Sequence, residues 1–213
     1  MADVIDLIAR VQQRVPKAPM LVVRDAYVAA VRDWCGQTRW ARDTLEATLV
    51  ADTADYSLGS DPFLEIIDVP VGKLMVTLST GRITEIPMKP SDPHSFDGNT
   101  PFTQPRTYAY IPESDITFYP TPDKTYGVVL ELAVQPTRST TQIPDKVVAK
   151  HWRAFEAGAL AHLLMLPEPW KDPVIAKVEE SIFKASVNNA KADVARGFQS
   201  GTVLIRRLPW IVG

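Results

Sequence analysis

Residues 104–136, QPRTYAYIPESDITFYPTPDKTYGVVLELAVQP, decide the fold class of this chain. Ile116 and Phe118, and then Val128, Leu130, Leu132 and Val134, alternate with polar or outward positions, the period of half-buried strands. The stretch predicts three short strands and a hairpin whose turn is the segment from Pro120 to Lys124, because two prolines and an aspartate suit a reversal. The flanks differ in kind. Residues 1–36 and 143–197 carry apolar side chains at spacings of three and four, the period of helices packed on a core. One β segment is therefore expected inside an α-helical framework.

Towards the N-terminus, Asp3 suits a helix N-cap, with Asp6 in the first turn where the positive helix end favours an acid. Val4, Leu7, Ile8, Val11 and Val15 then form one face of a helix that stops before Pro16. A second helix starts near Pro19, buries Leu21, Val22, Ala26, Ala29, Val31 and Trp34, and is expected to stop at Gly36. From Trp40 the period changes to two. Strands are expected at 44–50, 56–58, 64–69, 73–78 and 82–86, with a hairpin turn at Ser79-Thr80-Gly81. Residues 87–105 hold five prolines and no apolar period, and read as a long loop.

Towards the C-terminus, Pro144 and Asp145 open a helix with Val148, Trp152, Phe155, Ala159 and Leu163 on one face, ending at Pro167. Asp172 followed by Pro173 marks the next helix start. Its inward stripe is read as Val174, Val178, Ile182, Ala185 and Asn189, and Gly197 suits the left-handed residue beyond its end. The expected fold is α+β, a four-helix bundle with an inserted antiparallel β domain and an extended C-terminal arm. Its parts are N-terminal bundle helices over 1–39, the β domain over 40–142, C-terminal bundle helices over 143–197 and the arm over 198–213.

Composition narrows the function classes. A chain that is 46% hydrophobic and 23% charged can bury a core, which argues against disorder. A net charge of −2 gives no global attraction to nucleic acid. A single cysteine, Cys35, excludes an intrachain disulfide framework and a thiolate zinc cluster. Acids stand where a signal peptide would carry its basic region, and the most apolar helical stretch, 157–166, is too short to span a membrane.

The search for chemistry finds no catalytic signature. His151 and His162 would lie about 16 Å apart along one helix, too far to share a metal. Asp3 with Asp6, and Asp52 with Asp55, could be paired carboxylates, but a helix start and a turn account for them. Glu179 and Glu180 read as a solvated helix face. Tyr108, Tyr110, Tyr119 and Tyr126 could stack on bases or sugars, although cross-strand pairing is the commoner use of tyrosines in a hairpin. No catalytic residue, cofactor site or metal site is assigned.

The last sixteen residues, FQSGTVLIRRLPWIVG, are too apolar for a frayed end and carry no helical period. They either fold back on the molecule or reach a neighbouring subunit or another protein. In the second case Phe198, Val203, Leu204, Ile205, Leu208 and Trp210 fill apolar sites, while Arg206 and Arg207 supply charged contacts.

The order of elements resembles a known family. Two N-terminal helices, the region from Trp40 to Tyr56-Ser57-Leu58, the run Arg106, Tyr108, Ile116-Thr117-Phe118, Pro120, Pro122, Leu130, Leu132 and Pro136, and then Ile143-Pro144, Trp152 and Ala157 to Leu160 are similar to the head-to-tail adaptors of tailed bacteriophages. The likeness is to the tail tubular protein A type of short-tailed phages in particular and covers nearly the whole chain. It implies a structural virion protein without enzyme activity, made in the cytoplasm of a bacterial host. It further implies a ring of about twelve copies between the portal protein and the nozzle or tail tube protein, with DNA passing through without specific binding. The arm over 198–213 would then clasp the portal. The rival reading is a monomeric carbohydrate- or ligand-binding β module on a helical scaffold.

Overall fold

The computed structural model describes residues 1–59, 61–77, 81–92, 102–112 and 115–197. The chain forms two compact units. Among the described residues the first unit comprises 1–41, 62–65 and 134–197, and the second 42–61 and 66–133.

Four helices dominate the first unit: α1 (Val4–Arg14), α2 (Met20–Thr38), α3 (Asp145–Leu163) and α4 (Pro173–Ala195). Asp3 caps α1 by accepting a hydrogen bond from the Ile5 amide, and Asp172 caps α4 by accepting from the Val174 and Ile175 amides. A two-stranded ribbon, β1 (Ala2–Asp3) against β9 (Gln142–Ile143), ties the start of α1 to the entry of α3. The helices α2, α3 and α4 pack on one another, and α1 lies against α2 and α3. Their core is aromatic: Trp34 meets Phe155 edge-on at 5.4 Å, and Tyr27 meets Phe155 at 6.4 Å. Helix α2 does not stop at Gly36 but runs on to Thr38, and Arg39, with φ of 51°, takes the left-handed position that ends it.

Close approach of α3 to α2 and α4 depends on Gly158. A Cβ added there would stand 2.9 Å from the Ala30 Cβ and 2.8 Å from the Phe183 ring. Gly158→Ala is therefore expected to destabilise the protein by about 1–2 kcal/mol despite alanine's better helix propensity. A urea midpoint equal to or above that of the unsubstituted protein would show that the helices can separate freely.

The second unit holds most of a seven-stranded sheet. Its strands are β2 (Arg42–Leu49), β3 (Asp55–Ser57), β4 (Leu64–Thr77), β5 (Ile83–Pro90), β6 (Thr107–Tyr110), β7 (Asp115–Tyr119) and β8 (Tyr126–Pro136), in the spatial order β2-β8-β4-β5-β6-β7-β3. Alternation works as expected along β8, where Val128, Leu130 and Leu132 are buried together with Leu45, Leu49, Ile116 and Phe118. Tyr56 and Tyr108 flank the Phe118 ring at 5.7 and 6.5 Å. Within β4, Gly72 leaves room for Tyr108, since a Cβ would come within 2.7 Å of its ring.

This architecture corrects the expected one. The class is α+β, but the helices do not make a four-helix bundle carrying an antiparallel insert. α1 has only 11 residues against 19, 19 and 23 for the others, and the largest assembly is a mixed sheet. The parallel pair is β5 with β6, Lys89 opposite Thr107 and Pro90 opposite Tyr108. Such pairing excludes a tight hairpin between the two strands. The 104–136 stretch contains the three strands expected of it, yet the hairpin is β6 with β7. The Pro120 to Lys124 turn instead leads to β8, which pairs with β2. Two prolines without amide hydrogens cannot extend a ladder across that turn. The strands read at 64–69 and 73–78 are one continuous strand, and β5 extends to Pro90, into the segment read as loop.

Candidate functional site

The described surface of the helical unit offers sites for contact more than for chemistry. Among the described residues, no group of three or more His, Cys, Asp or Glu side chains is placed to hold a metal ion, and no helix is long and apolar enough to cross a membrane.

An ionic cluster joins three helices. Glu179, on α4, is only 3% exposed and accepts from Arg14 of α1 at 2.6 Å and from Arg153 of α3 at 2.8 Å. Glu156 stands behind both guanidiniums at 3.9 and 3.7 Å. The sequence reading of Glu179 as solvated is thereby overturned: its neighbour Glu180 is the exposed one, paired with Lys184.

His151 is held between Trp34 and Trp40, ring centroids 4.3 and 4.7 Å away, with its Nε2 buried and unpartnered. Burial, then the adjacent Lys150, pushes its pKa down to about 4, and Asp193 opposes this. The neutral ring is the one the fold accepts. The unfolded chain therefore binds more protons than the native one between about pH 4 and 6.5, and stability falls as pH drops through that window. The expected loss is about 1–2 kcal/mol, allowing for the part of the ring that water reaches. His151→Gln should flatten this dependence in urea titrations at several pH values; an unchanged slope would assign the acid sensitivity elsewhere. His162 is exposed near the end of α3, so the two histidines do not form a site.

The carboxylate pairs are structural. Asp3 is the cap of α1, Asp52 sits in a turn with φ of 63° where its amide donates to the Pro122 carbonyl, and Asp55 accepts from the Thr117 hydroxyl. Three of the four tyrosines are engaged in internal hydrogen bonds. Tyr108 is 1% exposed and donates its hydroxyl to the Val69 carbonyl; Tyr126 is buried and donates to Asp123; Tyr110 donates to the Ile66 carbonyl. The space enclosed by Leu45, Phe118 and Leu130 in the sheet unit is about 10 Å³, no more than one water would fill.

Three surfaces remain as candidate contact sites. On α4, Val174 is 73% exposed, Val178 55%, and Ile175 is open as well, so the stripe read as inward is in part an outward face. The inward face is Ala176, Glu179, Phe183, Val187 and Ala190. On α3, Trp152, read as core, is 41% exposed under the Arg10 guanidinium at 4.5 Å, beside a recess of about 250 Å³. Between α2, α3 and α4 runs a groove of about 680 Å³, floored by Ala26, Ala30, Gly158 and Phe183 and rimmed by Asp33, Glu180 and Lys184.

The arm residues Phe198, Val203, Leu204, Ile205, Arg206, Arg207, Leu208 and Trp210 lie outside the described residues. A comparison with curated proteins returns no match. The model of the SU10 adaptor protein family matches residues 2–205, nearly the whole chain, and the protein belongs to that family, in keeping with the resemblance to phage head-to-tail adaptors carried by its sequence.

Proposed function

We propose that this protein is a head-to-tail adaptor that assembles as a ring, joins the portal to the tail or nozzle, and forms part of the conduit for DNA. The family match over residues 2–205 carries the reading, since that family makes the chain a structural component of a phage particle. Physical features support the finer part. Each copy in a ring must present one face to the opposite face of the next, and the outward Val174, Ile175 and Val178 are apolar side chains that such contacts would cover. A chain of net charge −2 suits a passage through which DNA should slide, because neutralising phosphates with basic side chains would add affinity. The arm over 198–213 is proposed as the element that engages the portal. The rival ligand-binding β module loses ground because Tyr108 and Tyr126 are buried and internally bonded, and the space among Leu45, Phe118 and Leu130 is too small for a ligand.

The test is native mass spectrometry or negative-stain microscopy of the protein alone and with a portal ring. Multiple copies joining the portal are expected. A persistent monomer with no affinity for the portal would overturn the reading. Val178→Arg should lower the number of copies joined while changing monomer stability by no more than about 0.5 kcal/mol; full assembly of this variant would place the subunit contact elsewhere.

A further inference from the structure

We propose that the groove between α2, α3 and α4 of one copy receives the outward stripe of α4 from a second copy of this chain, carried by Val174, Val178, Ile182 and Ala185. This rests on the ring reading and adds to it the face that takes the stripe.

The two surfaces belong to opposite flanks of one helix. Ala176, Glu179, Phe183, Val187 and Ala190 set the inward side of α4. At about 3.6 residues per turn, Val174, Val178, Ile182 and Ala185 fall outward and toward one flank, whereas Glu180 and Lys184, which rim the groove, fall on the other. A head-to-tail contact needs such a pair of unlike surfaces, because each copy gives one and takes the other.

Length selects the groove over the other recesses of the unit. From Val174 to Ala185 the stripe runs about 17 Å along the helix axis. The groove is lined along α2 from Ala26 to Gln37, also about 17 Å, and along α4 from Ala176 to Asn188, about 18 Å. The recess beside Trp152 extends only from Asp6 to Arg10 on α1, about 6 Å, and from Val148 to Glu156 on α3, about 12 Å. A further recess of about 310 Å³ has Ile175 in its own wall, so it offers no opposite face.

The chemistry agrees. Charges on the groove rim are satisfied within one copy, since Glu180 pairs with Lys184 and Asp33 accepts from the Gln37 amide. The occupant therefore need bring no charge, and the stripe has none. Its spacing of four, four and three residues is that of a helix face laid into an apolar groove, and Ala29 and Gly158 in the groove wall leave room for the entering side chains.

The test counts copies by native mass spectrometry of the full-length protein, alone and on a portal ring. Val178→Arg and Ala29→Glu both alter exposed positions, and each places a lone charge in the apolar contact. Each alone is expected to lower the number of copies joined, with the urea midpoint of the monomer unchanged. The doubly substituted chain should recover most of the lost copies, because the two new charges attract across the contact. Should Ala29→Glu fail to fold, Asn188→Glu at the exposed groove edge gives the same readout. Full assembly of the groove variant, or a double variant no better than the single ones, would overturn this proposal and leave the adaptor reading standing. A native chain that joins no other copy under either condition would overturn both.

Discussion

Glu179→Ala is expected to lower unfolding stability by about 2–4 kcal/mol, a large share of the stability of a domain of this size. The carboxylate is the one group that touches both Arg14 and Arg153 at hydrogen-bond distance, and it is the only member of the cluster that is nearly sealed from water. Alanine would leave two guanidiniums facing each other with Glu156 alone to neutralise them, at 3.9 and 3.7 Å. It would also remove the bonds from Arg14 of α1 and Arg153 of α3 to α4, leaving Lys150 with Asp193 as a polar link between α3 and α4. The cost falls short of the extreme for broken buried pairs because both arginines keep partial access to water. Glu179→Gln, which keeps the shape and one acceptor, should cost about half as much. Urea unfolding at low and high salt is the measurement. A loss below about 0.5 kcal/mol, or one erased by salt, would mean that the cluster behaves as a surface ion pair.

Deletion of residues 198–213 is expected to leave the fold in place and to weaken portal binding by at least roughly a hundredfold, about 3 kcal/mol. The aromatic core of the helical unit is made by α2 and α3, with Phe155 packed on Trp34 and Tyr27, all at positions before residue 198. The deleted stretch carries Trp210 and two arginines, the residue types that dominate binding energy at interfaces. If the truncated protein binds the portal with unchanged affinity, the arm is not the docking element. If it fails to fold, point substitutions Leu204→Asp and Trp210→Ala in the full chain give the same readout.

Local signals in the sequence were strong where they were chemical. Asp172-Pro173 and Gly197 bracket α4 because a capping carboxylate, a proline at the first turn and a left-handed residue each fix a backbone state without help from distant residues. The phase of α4 was not legible. Aliphatic Val174 and Val178 outrank a glutamate on any scale of hydrophobicity, yet Glu179 is the one turned inward, because Arg14 and Arg153 stand 165 and 26 residues away to receive it. Small residues are equally ambiguous: Ala29 fits the apolar period of α2 but lines the open groove, whereas Tyr27 and Val28 are buried. The strands were visible by their alternation, but their order was not, since β2 finds its partner β8 some eighty residues on. Hydrophobic period specifies a face and is silent about its neighbour. The arm was legible only as composition.

Cys35 lies fully buried on α2, and burial pushes its thiol pKa up to about 12, against a smaller opposing pull from Arg32. The native chain therefore carries a single thiol that is both shielded and protonated at neutral pH, and alkylating reagents find no thiolate to attack. Its modification rate becomes a clock for opening of the helical unit. A reporter thiol placed anywhere on the outside can likewise be labelled selectively with the natural cysteine left in place.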